Sequence, residues 1–220
     1  MQEIFRRPSQ DPLPEDLSIE DVGHAAVQAV TSLVPGLSNA LALVLVPPLI
    51  QRRNDWLKDL ESRLRELENQ VRDFHFDDLQ HNEQFVSATL QATQVALRAH
   101  HTEKLEALRN AVLNVAISRS PSEDLQLIFL NLIDRFTPMH LNILRFCLDR
   151  TIASKGFQGQ RDLTDLVVRD LHDCGLIDDT RPFAARNRDP IESLIHYHWP
   201  VSTLGRQFLG FITSPEKTQP

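Results

Sequence analysis

Thirty consecutive residues, Val22 to Gln51, carry no formal charge. That exceeds the ~20 residues a helix needs to cross a bilayer. The run is nevertheless broken: Pro35-Gly36 splits it and Pro47-Pro48 closes it, and both pairs interrupt helices. The pieces, 22–34 and 37–46, are each too short to span. The second contains Ala-Leu-Ala-Leu-Val-Leu-Val from Ala40 to Val46, apolar on every side, and such a helix belongs in a core or in lipid. The spacing predicts a helical hairpin over 22–51, and two uses of it stay open: permanent core, or a segment buried at rest and exposed on activation to a membrane or a protein partner. Leu41, Leu43, Leu45 and Val46 would make that contact. Ser18 and Asp21 give its start a capping-box-like spacing. Val22, Ala25, Ala26, Ala29, Val30 and Leu33 follow at helical intervals.

Proline in a first helical turn loses nothing by lacking an N–H, so Pro48 is expected to open the next helix, 48–74. Leu57, Leu60, Leu64, Leu67, Val71 and Phe74 alternate steps of three and four along it, an a/d seam flanked by charged residues. Two uses of that seam stay open. It can pack inside its own domain, or Leu57, Leu60, Leu64, Leu67 and Val71 can form an oligomer interface.

Only 7 of 220 residues are glycine, about half the usual share, which argues against an all-β fold with many tight turns. Helical periodicity continues instead through Phe85–Leu97, Leu105–Val115, Leu125–Phe136 and Leu141–Leu148. Ser122 and Thr137-Pro138 mark helix starts, and Thr102 can cap another. The predicted fold is mainly α: a multi-helix bundle with a small winged-helix-like α+β module at its C-terminal end. Residues 1–17 are an N-terminal arm, 18–150 the helical domain, 151–160 a linker, 161–213 the module and 214–220 a disordered tail.

The module rests on a short pattern. Leu163, Leu166, Val167 and Leu171 form a helical face, Gly175 a left-handed cap before Leu176-Ile177, and Ile195–Trp199 an alternating strand. Thr203 then precedes a helix with Gly205, Phe208 and Leu209. This order resembles the second half of a winged-helix domain, which implies DNA binding in many cases. Here the helix before the wing carries Asp162, Asp165, Asp170 and Asp173, which repel phosphate. The net charge is −7, with 23 basic against 30 acidic residues, and no large segment is net basic, so nucleic acid is the disfavoured partner. Arg181, Arg186 and Arg188 are the local basic face that a nucleic-acid-binding regulator would use.

Chemistry is sparse. No Walker loop, dinucleotide fingerprint or nucleophile elbow occurs, and the chain is expected to be neither an enzyme nor a cofactor carrier. His172, Cys174, His196 and His198 have types and spacing that zinc accepts, against the plainer reading of helix-end packing. Cys147 and Cys174 are the only cysteines, which suits a reducing compartment. The polar N-terminus lacks an apolar signal core. The cytoplasm is the expected location, with peripheral contact to the inner membrane as the hairpin's option.

The Pro-Gly-broken apolar start, Leu105–Ser118 (LEALRNAVLNVAIS), Leu127–Asp149 (LIFLNLIDRFTPMHLNILRFCLD) and the terminal Thr-x-Gly-x-x-Phe element together resemble the bacterial Abi-alpha family. Those are helical proteins linked to phage abortive infection. The resemblance spans most of 35–212 and rests on hydrophobic patterns. It implies a role in phage defence and supplies no catalytic residues.

Overall fold

The structure, a computed structural model, describes residues 39–151, 161–179 and 199–215. The chain divides into two units, 1–52 and 53–220. Among the described residues lie seven α-helices and one short 3-10 helix, with no strand beyond a single bridge.

The first helix, α1 (Asn39–Gln70), corrects the sequence reading. It runs without interruption through Pro47 and Pro48 instead of ending there. An internal proline removes one ladder bond and crowds the preceding turn. Yet Ala40 to Gln51 offers no glycine or asparagine to cap a helix end, and the leucines and alanines before the prolines are strong helix formers. In the first unit Val46 is 4% exposed and packs with half-buried Leu49 and Ile50.

In the second unit α1 lays Leu60, Leu64 and Leu67 into the core, and the Trp56 indole N–H donates to Thr93 Oγ1 at 3.0 Å. Beyond α1, Val71 is half-buried and Phe74 buried. The 3-10 helix spans Phe76–His81. Then α2 (Glu83–Arg98) starts at Asn82, whose side-chain oxygen accepts the Phe85 N–H at 3.0 Å. Its buried face is Ala88, Ala92, Val95 and Ala96. Small side chains there let the next helix, α3 (Thr102–Ala116), approach closely. Helix α3 is the centre of this unit: every residue from Asn110 to Ala116 is buried.

Two helices pack directly against it, α4 (Glu123–Arg135) and α5 (Pro138–Leu148), and α6 (Arg161–Asp173) packs on α5. As the sequence indicates, Ser122 and Thr137 hold the N-cap positions of α4 and α5. Thr102, by contrast, is the first residue of α3 and His101 holds its cap position.

The end of α6 shows why glycine stands at 175. Its φ is +71°, its N–H donates to His172 O at 2.8 Å, and the Leu176 N–H donates to Leu171 O at 2.9 Å. That is a Schellman cap, with Leu171 and Leu176 both buried as its apolar clasp. Ile177 then pairs antiparallel with Val201, secured by Asp178 N–H to Pro200 O and Ser202 N–H to Leu176 O.

The last helix, α7 (Thr203–Phe211), is capped by Ser202, not Thr203. The Ser202 hydroxyl accepts the Gly205 N–H at 2.9 Å and donates to Gly175 O at 2.6 Å. Gly205 lies against the bridge: a Cβ there would stand 2.1 Å from Leu176 O, so this position of the Thr-x-Gly-x-x-Phe pattern tolerates no side chain. The strand expected at 195–199 and the intervening wing lie outside the described residues, apart from buried Trp199. The expected linker does so too, beyond Thr151.

Phenylalanines lock α7 in place. Phe129 and Phe136 of α4 and its C-cap meet Phe208 edge-on at 5.3 and 6.0 Å between ring centroids, and Phe211 lies 5.7 Å from Phe129. The carbonyls freed at the end of α7 are met by two buried amides on α3: Asn110 Nδ2 donates to Ile212 O, and Asn114 Nδ2 to Phe211 O and Thr213 O. A buried carbonyl without a donor would cost about 1–3 kcal/mol, so these asparagines are structural requirements of the joint.

Candidate functional site

Two places concentrate groups a partner could use: the N-terminal turns of α1 and a polar node between α4, α5 and α6.

On α1, Val44 is 67% exposed and Leu45 39%, whereas Val46 is covered. Leu41 and Leu43 lie on the same helix, with side chains outside the described residues. The expected contact set is therefore split, and the burial at rest expected of the whole segment does not hold for Val44 and Leu45. Exposed Arg52 and Arg53 follow the apolar turns directly. Among the described residues no helix is long and apolar enough to cross a membrane.

Further along α1 the seam faces inward. Leu60, Leu64 and Leu67 belong to the core of their own unit, Val71 is half-buried, and Leu57 is 37% exposed. Three of the five positions expected at an oligomer interface are thus covered by their own unit. A leucine enclosed by its own chain has no surface left for a second copy. The spacing identified the buried face, and only the neighbouring helices decide what covers it.

The polar node begins with Thr137-Pro138. Thr137 heads α5 in a reciprocal cap in which His140 takes the place usually held by glutamate or glutamine. Its Nδ1 accepts the Thr137 N–H at 3.2 Å and lies 2.9 Å from Thr137 Oγ1. Its Nε2 lies 3.1 Å from Asp170 Oδ2 on α6. Because a backbone N–H can only donate, Nδ1 is the acceptor and the proton sits on Nε2, donated to Asp170. The ring stacks on Phe136 with centroids 4.7 Å apart. Burial lowers the His140 pKa to about 4, helped by the positive charges of Arg135 and Lys104. Arg135 also pairs with Asp170. The bond between His140 and Asp170 thus joins a neutral imidazole to a carboxylate and is not an ion pair.

Around this core, Lys104 Nζ donates to Asp134 O at 2.7 Å, and Arg98 bonds Asp134 Oδ2 at 3.0 Å. Burial lowers the Lys104 pKa, opposed by Asp134 and aided by Arg98. Both imidazole nitrogens of His140 are engaged, so neither is free to take a proton from a substrate. The node ties α4, α5 and α6 together.

The remaining candidates separate. His172 is exposed near Asp173, Cys174 is half-buried, and His196 and His198 lie outside the described residues. Among the described residues no three His, Cys, Asp or Glu side chains form a group that could hold a metal ion. Arg181, Arg186 and Arg188 are also outside them. Burial pushes the Cys147 thiol up to about 11, which keeps it protonated and unreactive at neutral pH.

Sequence reasoning missed His140, Ser202 and the Asn110/Asn114 pair. The asparagines did leave a signal, being amides four residues apart on an otherwise apolar stretch. Comparison with protein-family models, with curated proteins and with solved structures gave no match to this chain.

Proposed function

We propose that this chain is a non-enzymatic, cytoplasmic helical protein that docks on the inner face of a membrane through the apolar segment 22–51. The observation that carries this is the pair Val44 and Leu45, 67% and 39% exposed within a thirty-residue uncharged run. Two exposed arginines stand beside it. Apolar turns next to basic residues suit the boundary between acyl chains and anionic headgroups. Covering what remains exposed of the two side chains, about one side chain's worth, gives roughly 1.5–3 kcal/mol, and the two arginines add about 1 kcal/mol each near an anionic surface. The sum is comparable to one myristoyl chain, which binds reversibly. Docking of this strength is a switchable contact.

We read residues 161–213 as a winged-helix-like module, supported by the order of α6, the Gly175 turn, the Ile177–Val201 bridge and α7. The biological setting we propose is phage defence, on the resemblance to the Abi-alpha family.

Co-flotation tests the docking. Wild-type protein should rise with phosphatidylserine-containing vesicles and stay behind with pure phosphatidylcholine. The double variant Val44→Asp, Leu45→Asp should stay at the bottom with both. A wild-type protein that stays down with anionic vesicles, or a double variant that floats as well, removes the proposal.

A further inference from the structure

We propose that the outer face where α2 runs beside α4 docks a basic amphipathic helix of a partner protein. Two bonds place the helices side by side: Gln91 Nε2 to Asn131 Oδ1 at 3.0 Å, and Arg98 to Asp134 Oδ2 at 3.0 Å. One turn before the first pair stand Ser87 on α2 and Leu127 on α4. Here the surface opens into a depression of about 610 Å³ whose lining includes Asp78, Glu83, Ser87 and Glu123. On the same two helices Val86, Leu90 and Leu127 are 43%, 62% and 44% exposed. Val86 and Leu90 are four residues apart, so they form one ridge.

Charge selects the occupant. Asp77, Asp78, Glu83, Glu123 and Asp124 are all exposed, and among the described residues none has a basic partner. The N-termini of α2 and α4 each bring about half a positive charge, which offsets about one of the five acids. The face stays negative at the N-terminal end of an apolar ridge. A helix with apolar residues at i, i+4 and i+7 covers such a ridge, and its lysines or arginines reach the acids gathered at the N-terminal ends of α2 and α4. A second copy is disfavoured because a two-fold contact sets Glu83 and Glu123 against like charges. Anionic lipid is disfavoured by the same acids. This surface shares no residue with the apolar turns of α1, and the inference does not rest on their docking.

The test uses the full-length protein and a labelled helical peptide of leucine and lysine alone, about five turns long. A matched peptide has glutamate in place of lysine. Fluorescence anisotropy should show binding of the lysine peptide only, weakening as salt is raised. Leu90→Asp should weaken it by about tenfold or more. The pair Glu83→Lys, Glu123→Lys should weaken it and flatten the salt dependence. The Val44→Asp protein should bind as wild type does. These side chains are exposed, so Leu90→Asp is expected to keep close to the wild-type melting profile, while the lysine pair, set against two helix N-termini, melts somewhat lower and remains folded at the assay temperature, both checked by circular dichroism. The proposal is overturned if both variants bind the lysine peptide as tightly as wild type, or if the glutamate peptide binds equally well. Loss of binding on Val44→Asp would move the contact to α1 and overturn it too. So would a concentration-dependent rise in mass by sedimentation that Leu90→Asp abolishes, since that would assign the face to a second copy.

Discussion

From Ala40 to Val46 the helix α1 has no polar side chain, whereas α7 includes Thr203, Arg206 and Gln207. Yet it is the less apolar helix that is covered. Phe208, Leu209 and Phe211 are 0%, 5% and 1% exposed, against 67% and 39% for Val44 and Leu45. Hydrophobicity alone does not decide burial. A helix with one apolar face needs one surface to lie on, and α7 finds it between Phe129, Phe136 and the asparagines of α3. A helix apolar all round needs neighbours on every side. The described structure gives that cover to Val46 and withholds it from the two residues before it.

Truncation should hurt α7 first. Phe208→Ala removes a ring that meets Phe129 and Phe136 edge-on and is fully enclosed. The loss should be about 3–5 kcal/mol, the cost of deleting a buried phenylalanine and leaving a cavity. Urea unfolding monitored by circular dichroism reads it directly. A loss below about 1 kcal/mol would mean that α7 is a loosely attached element, and the contrast with α1 would fail.

The helix borders were legible because caps and prolines act locally. Thr137-Pro138 opens α5, and Gly175 ends α6 with the positive φ its position implies. What stayed hidden depends on distant partners. Pro47-Pro48 marks a helix end in isolation, yet a long run of helix formers with no capping residue carried α1 through it. Leu60, Leu64 and Leu67 announce a buried face without saying whose surface covers it. Asp170 counted as one repelling acid among four. Only folding brings it to Arg135 and His140, residues 35 and 30 positions away along the chain. Ser202 looks like an ordinary serine until its hydroxyl bonds both Gly175 O and the Gly205 N–H.

Acid should sharpen the contrast further. His140 has a folded pKa of about 4, below its ordinary 6.5, with burial as the main cause. Between those values the unfolded chain binds a proton that the folded chain refuses. Stability is therefore fully present above about pH 6.5, falls as pH drops towards 4, and loses no more from this group below that. The contribution is on the order of 2–3 kcal/mol. Midpoints of urea unfolding at pH 7.5 and pH 5 should differ more in wild type than in His140→Asn. An equal slope in the two proteins would show that the imidazole is solvated. The turns of α1 from Val44 to Gln51 contain no titratable side chain, so acid attacks the α5–α6 joint and leaves them unaffected.

The smallest expected effect is the most telling for α1. Val44→Ser exchanges a side chain that already faces solvent, so stability should change by no more than about 0.5 kcal/mol. Valine and serine differ little in helix propensity, which removes the main competing cause. Should Val44→Ser cost as much as a core truncation, Val44 would be covered in solution and α1 would join α7 as ordinary core. An unchanged melting curve together with weaker flotation would separate the two roles of apolar surface in this chain. Around α7 it holds the fold together; at the start of α1 it is left available for contact.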